Sequence, residues 1–93
     1  MDSGRKERRM TLGIPARLEQ AGAAAEETAS IENLSTHGAR VITDKAWRTD
    51  DELVLSSPRY GLRSTAARVV YCLPMTSKQF VVGLEFAEPR AIA

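Results

Sequence analysis

The chain has 93 residues, of which 43% are hydrophobic and 27% are charged, as in a single globular domain that folds in water. No apolar run approaches the roughly 20 residues that cross a bilayer. No apolar segment of the kind found in a secretory signal follows the charged N-terminus. The single cysteine, Cys72, cannot form an intramolecular disulfide. These features argue against a membrane-spanning or disulfide-stabilised class, and we expect a cytoplasmic protein without membrane insertion.

The net charge of +1 conceals an uneven distribution. Residues 1–9 carry four basic and two acidic side chains, whereas the rest of the chain carries nine basic and ten acidic ones. A cationic segment this short suits a small anionic ligand better than DNA or RNA, and we expect neither nucleic acid as a partner. The alternative interpretation is a solvated, disordered N-terminal tail, because short charged segments at a terminus are usually disordered.

The first predicted strand covers residues 10–18, where apolar side chains fall on one face at every second position: Leu12, Ile14, Ala16 and Leu18. Pro15 lacks a backbone donor, so we expect it at a sheet edge or a bulge. Residues 19–27 contain good helix formers, but the run is short and has no amphipathic stripe. We therefore interpret it as a connecting loop.

The second and third predicted strands, residues 28–34 and 39–43, meet at the polar corner Asn33-Leu34-Ser35-Thr36-His37-Gly38. Asn33 offers a carbonyl acceptor and an amide donor to a flat heterocycle, and Ser35 can donate to an oxygen. Gly38 permits a positive φ, or a ligand approach that a Cβ would block. The same residue types are also typical of an ordinary turn between strands.

The next segment contains the single tryptophan, Trp47, which we expect to be buried in the core or at one end of a barrel. Residues 49–52 predict a polar turn, since Asp tolerates unusual backbone dihedral angles. Residues 53–55 predict the fourth strand, which residues 56–58 end, and residues 59–61 predict another turn.

The fifth predicted strand lies within residues 62–73 around the β-branched pair Val69 and Val70. The sixth covers residues 79–86, where one face is apolar: Phe80, Val82, Leu84 and Phe86. Six short strands, no helix and too few residues for a two-layer sandwich predict an all-β fold, a small six-stranded antiparallel β-barrel.

The residues that could catalyse a reaction or hold a metal are few. His37 is the only histidine, and no second histidine or cysteine stands at metal-ligand spacing, so we expect neither a metal site nor a cofactor. Ser35 and His37 lack an orienting acid and an oxyanion hole, and no glycine-rich phosphate loop precedes a helix. Cys72 fits a buried hydrophobic position better than a reactive thiol. We therefore expect a protein that is not an enzyme.

Two motifs in this order give the chain a family resemblance. Arg5 and Arg9 form R-x-x-x-R, and the corner forms N-x-S-x-x-G, with residues 82–86 (VGLEF) as a further similarity. Together they resemble the PilZ domain, a bacterial module for the second messenger cyclic di-GMP. This resemblance implies a flexible arm over residues 1–9, a split barrel over 10–88 and a short tail over 89–93. The chain departs from the common pattern with Asn33 in place of Asp, and with residues 49–51 (TDD) where many members have glycine.

The resemblance also implies a function and a site. Arginine can bind phosphate or the O6/N7 edge of guanine with two parallel hydrogen bonds. The implied ligand-binding residues are Arg5, Arg9, Asn33, Ser35 and Gly38, and the further candidates are Arg8, His37, Arg40 and Gly83. Asn33 would contact a guanine, Ser35 the phosphate or base region, and Gly38 would keep the surface clear.

We expect a cyclic di-GMP receptor or adaptor in which the ligand orders the arm and a downstream protein partner recognises the ordered state. One alternative is an adaptor that binds a protein without depending on nucleotide. A small-barrel nucleic-acid binder fits less well, because it uses aromatic stacking platforms and a basic groove. Here there are five aromatic residues, and the part of the chain after the arm is slightly acidic.

Overall fold

The structure is a computed structural model that describes residues 13–20 and 26–88. The described ranges contain six strands, which we number β1 to β6, and one turn of 3₁₀ helix at Pro58–Tyr60. The strands are β1 (Ile14–Gln20), β2 (Glu26–Leu34), β3 (Gly38–Thr43), β4 (Glu52–Ser57), β5 (Leu62–Pro74) and β6 (Phe80–Phe86). The predicted arm, the first three residues of the predicted first strand and the predicted tail lie outside the described residues.

The six strands form one closed antiparallel barrel in the order β1-β2-β3-β6-β5-β4. Strands that are neighbours in sequence pair with each other, except β3 and β4. These two pair instead with β6 and β1, respectively. Closure gives each strand a hydrogen-bonded neighbour on both sides, which removes exposed sheet edges. The predicted all-β, six-stranded antiparallel barrel is confirmed.

Each strand contributes at least one completely buried apolar side chain to the interior of the barrel, among them Leu18, Ile31, Val41, Leu55, Val69 and Val82. The burial of one such side chain stabilises the fold by about 1.5–3 kcal/mol. Trp47 is also buried in this core, as predicted, and its backbone N–H donates to Sγ of Cys72 at 3.4 Å. The apolar face predicted for β6 is confirmed, since Val82, Leu84 and Phe86 are buried and Phe80 packs partly against the core.

Within the described residues, the first strand begins at Ile14 and ends at Gln20, whereas the predicted strand covered residues 10–18. Gly13 has a φ of +61°, in the left-handed region, and β1 begins at the next residue. Pairing with β4 starts only at Arg17, so Pro15 occupies an edge-like position, as predicted. The loop expected at residues 19–27 is wrong at both ends, because Glu19 pairs with Glu26 in the β1–β2 ladder. The ladders with β2 and β4 outweigh the weak strand propensity of these residues.

The turn before β4 has the unusual backbone that its sequence predicts. Asp50 has a φ of +77°, and the backbone N–H of Arg48 donates to Oδ2 of Asp51 at 2.9 Å. A left-handed residue at this point explains why a glycine would also fit there. Strand β4 is longer than predicted and includes Ser57, whose hydroxyl donates to the carbonyl oxygen of Pro15 at 2.7 Å.

Candidate functional site

A bulge in β2 turns Asn33 towards the outside of the barrel. Ile31 pairs with Val41 and Asn33 pairs with Arg40, so Glu32 is an extra residue on β2. In a regular strand, Asn33 would point to the same side as the buried Ile31. The bulge instead leaves Glu32 and Asn33 together opposite Arg40, and the side chain of Asn33 is exposed on the outer face.

A second bulge, in β5, brings an aromatic ring onto the same face. Val69 pairs with Leu84 and Tyr71 pairs with Gly83, so Val70 is an extra residue on β5. The ring of Tyr71 packs directly over Gly83, where a Cβ would overlap the ring carbons. Because Gly83 has no side chain, the ring of Tyr71 can lie against the backbone of β6 at this point.

The two bulges align a row of residues across four neighbouring strands. Arg40 pairs with Asn33 on one side and with Gly83 on the other, and Gly83 pairs with Tyr71. The row borders an open groove of about 360 Å³, which residues of the corner also line. The groove is lined by six of the residues that the sequence analysis selected: Asn33, Ser35, His37, Gly38, Arg40 and Gly83.

Sequence reasoning missed Tyr71 and Glu85 as groove residues. It placed Tyr71 in a strand but gave it no role, because the β5 bulge that exposes it was not foreseen. The other predicted site residues, Arg5, Arg8 and Arg9, lie outside the described residues.

The corner is a fixed turn held by hydrogen bonds of Ser35 and His37. The Ser35 N–H donates to the Gly38 carbonyl oxygen at 2.9 Å, and the Ser35 hydroxyl donates to the same oxygen at 3.3 Å. The hydroxyl also accepts the His37 backbone N–H at 3.3 Å, and the Phe86 N–H donates to the His37 carbonyl oxygen at 2.8 Å. Since a hydroxyl oxygen can accept twice, Ser35 keeps one acceptor position for a further partner.

Gly38 is explained by strand packing. The left-handed glycines among the described residues are Gly13 and Gly61, so the first of the two roles considered for Gly38, a positive φ, does not apply. An added Cβ would instead overlap the carbonyl oxygen of Leu84 on β6. A backbone atom cannot rotate away as a side chain can, and Gly38 therefore allows β3 and β6 to approach closely, whatever its role towards a ligand.

Three ion pairs, made by two arginines, lie on the outer face of the barrel. Nε of Arg40 donates to Oε1 of Glu32 at 2.9 Å. Arg68 bonds both Glu85 and Asp50, the latter at 2.8 Å, and these hydrogen bonds, first from Glu85 and then from Asp50, raise the pKa of the guanidinium. All three pairs are exposed, so each adds little to the stability of the fold. Their effect is to hold charged side chains in fixed positions around the groove.

The described residues contain no group of three side chains that could hold a metal ion. No helix in the same ranges is long and apolar enough to cross a membrane.

The sequence was compared with protein-family models and with curated proteins. A family model described as "PilZ domain" matches residues 3–93, which is nearly the whole chain. The curated proteins give no match. The matched range includes residues 3–9 of the arm, the corner and all six strands.

Proposed function

The chain belongs to the PilZ domain family, whose members are in general cyclic di-GMP-binding modules and not enzymes, and on this premise we propose that it is a cyclic di-GMP receptor. One observation supports the barrel half of the site. The bulge in β2 turns Asn33 outward into the groove that Ser35, Gly38 and Arg40 also line. An amide, a hydroxyl and a guanidinium thus converge on one concave surface.

The chemistry of this surface matches the ligand. Cyclic di-GMP carries two singly charged phosphates and two guanines. The exposed amide of Asn33 can donate to and accept from the edge of a guanine, and Ser35 keeps a free acceptor position beside it. The ring of Tyr71 forms a wall on which a purine base can stack. A cavity of about 360 Å³ lies within the usual range of about 300–1,000 Å³ for small-molecule sites.

The arginines of the arm supply the other half of the proposed site. Ile14 pairs with Ile31, so the described chain begins beside the bulge that carries Asn33. An extended chain spans about 3.3 Å per residue, so the Cα atom of Arg9 can lie up to about 13 Å from that of Gly13, and the side chain of Arg9 reaches further. Arg9 and Arg5 are thus within reach of a ligand in the groove, where each can bind phosphate or guanine with two hydrogen bonds. Arg8 adds positive charge to the same segment.

We further propose that the ligand acts by ordering this arm against the barrel. Charge-assisted bonds to Arg5 and Arg9 offset the loss of conformational entropy when the arm becomes fixed. The surface formed in this way differs from that of the free protein, and a downstream protein partner recognises it. The signal is then a population shift between a free and a docked arm, without any chemical conversion of the ligand.

Calorimetric titration tests the receptor function directly. We expect heat of binding with cyclic di-GMP, and none with GTP or linear di-GMP at the same concentration. Arg5→Ala and Arg9→Ala should each weaken binding at least tenfold, which corresponds to about 1.4 kcal/mol. Arg17→Ala is the matched control, because Arg17 is an exposed arginine of β1 that does not line the groove. Equal affinity of the two arm variants and the control would contradict the proposed role of the arm.

A further inference from the structure

We propose that Arg40 is a phosphate-binding residue of this site and that Glu32 is its positioning residue. The inference rests on the proposed receptor function and extends it to two residues of the barrel. Arg40 is the one arginine among the described residues that line the groove. An anionic ligand seated against the barrel therefore meets its fixed positive charge there.

The β2 bulge creates the pair. Because of the bulge, Glu32 and Asn33 both lie opposite Arg40 on the neighbouring strand. Nε of Arg40 donates to Oε1 of Glu32 at 2.9 Å. The side chain of Glu32 is 27% exposed and that of Arg40 is 46% exposed, so the arginine is the more accessible member of the pair.

On the side away from Glu32, Arg40 has a glycine as its neighbour on β6. Arg40 pairs with Gly83, which has no side chain, and the next residue in the row is Tyr71. The ring of Tyr71 covers Gly83, and this ring and Arg40 line the same groove. A phosphate that binds Arg40 at this point leaves the neighbouring base between Asn33 and the ring.

The ion pair with Glu32 uses the Nε of Arg40 and does not use its two Nη groups, which are the donors suited to phosphate. A guanidinium has five N–H donors in a planar fork, and Glu32 engages the one on Nε. The two Nη groups can then donate together to two phosphate oxygens. Glu32 fixes the plane of this fork before the ligand arrives, which reduces the entropy lost on binding. Its negative charge also repels phosphate, so the two effects of Glu32 oppose each other.

Substitutions at position 32 separate these two effects. Glu32→Gln keeps an acceptor for Nε and removes the charge, whereas Glu32→Ala removes both. We expect Glu32→Gln to bind cyclic di-GMP at least as tightly as the unmodified protein, and Glu32→Ala to bind about three- to tenfold more weakly. If Glu32 instead competed with the ligand for Arg40, both variants would bind more tightly, and that result would overturn the positioning role.

Substitutions at position 40 test the phosphate contact. We expect Arg40→Ala to weaken binding about tenfold or more, and Arg40→Lys to weaken it less, because lysine keeps the charge but not the fork. The double variant Glu32→Ala/Arg40→Ala should bind no more weakly than Arg40→Ala alone, since Glu32 acts through Arg40. The dissociation constant of Arg40→Ala should also depend less steeply on salt concentration, which a purely structural role would not produce.

The controls distinguish this inference from the function on which it rests. Thermal unfolding without ligand should differ little among these variants, because an exposed ion pair adds little stability. If Arg9→Ala weakens binding but Arg40→Ala binds like the unmodified protein, with the same salt dependence, this inference is wrong and the receptor function stands. If the unmodified protein does not bind cyclic di-GMP, both are wrong.

Discussion

Replacement of Gly38 by alanine tests whether this glycine serves the barrel or the ligand. The added Cβ would overlap the carbonyl oxygen of Leu84, whereas real Cβ contacts shorter than 3.0 Å are essentially unknown. To relieve the overlap, β3 and β6 must separate at the end of a ladder of six residue pairs. Overpacking of this kind costs about 1–3 kcal/mol. In a domain of this size, a loss of about 2 kcal/mol lowers the Tm by about 8–16 °C.

The assay is thermal unfolding followed by circular dichroism, without ligand and then with saturating cyclic di-GMP. We expect the Tm of Gly38→Ala to fall already in the ligand-free protein. Gly61→Ala provides a comparison, because Gly61 has a φ of +82° but no heavy atom within 4 Å of an added Cβ. A Gly38→Ala variant that unfolds at the same temperature as the unmodified protein, yet no longer binds the ligand, would refute the packing argument.

Two further substitutions follow from the same geometry. Gly83→Ala would displace the ring of Tyr71 from its place over Gly83, and because a side chain can move, we expect a smaller fall in Tm than for Gly38→Ala but weaker binding in calorimetry. Equal binding would show that the ring does not contribute. Asp50→Ala should be less stable than Asp50→Gly by about 1 kcal/mol in denaturant unfolding, because both lose the pair with Arg68 but only glycine adopts a φ of +77° without strain. Equal stability of the two variants would contradict this explanation.

The sequence predicts the strands well because the barrel has one buried interior. Alternation of apolar residues identifies the inward positions of β1 and β6, and the turn residues separate the strands. The loop predicted at residues 19–27 fails because Glu19 and Glu26 are weak strand formers that pair through backbone ladders. Such pairing depends on the neighbouring strands, which a local pattern does not contain.

Six residues that line the groove were selected from the sequence, whereas Tyr71, Glu85 and the shape of the groove were not. The motif residues Asn33, Ser35 and Gly38 follow from the sequence, whereas the bulges that arrange the groove do not follow from a period of two. A signal was nevertheless present. The inward residues Ile31 and Leu34 are three positions apart, as are Val69 and Cys72, and each spacing marks one extra residue.

The sequence also could not predict why a glycine is needed at positions 38 and 83. N-x-S-x-x-G gives the position of Gly38, but only the structure shows that the Leu84 carbonyl oxygen occupies the place of its Cβ. Similarly, Gly83 and Tyr71 are twelve residues apart in sequence and become a packed pair only through the β5–β6 register. Long-range pairing of this kind leaves no mark on the neighbouring residues of either partner.

The account depends most on the claim that the outer face of β2, β3, β6 and β5 and the arginine arm bind cyclic di-GMP together. A backbone amide NMR titration of the whole chain tests this claim most directly. We expect shift changes at Asn33, Ser35 and Gly38 and at Arg5 and Arg9, with the same dissociation constant at both sets and little change at Arg17 on β1. An unchanged spectrum at saturating ligand, or changes confined to one of the two sets, would contradict the account.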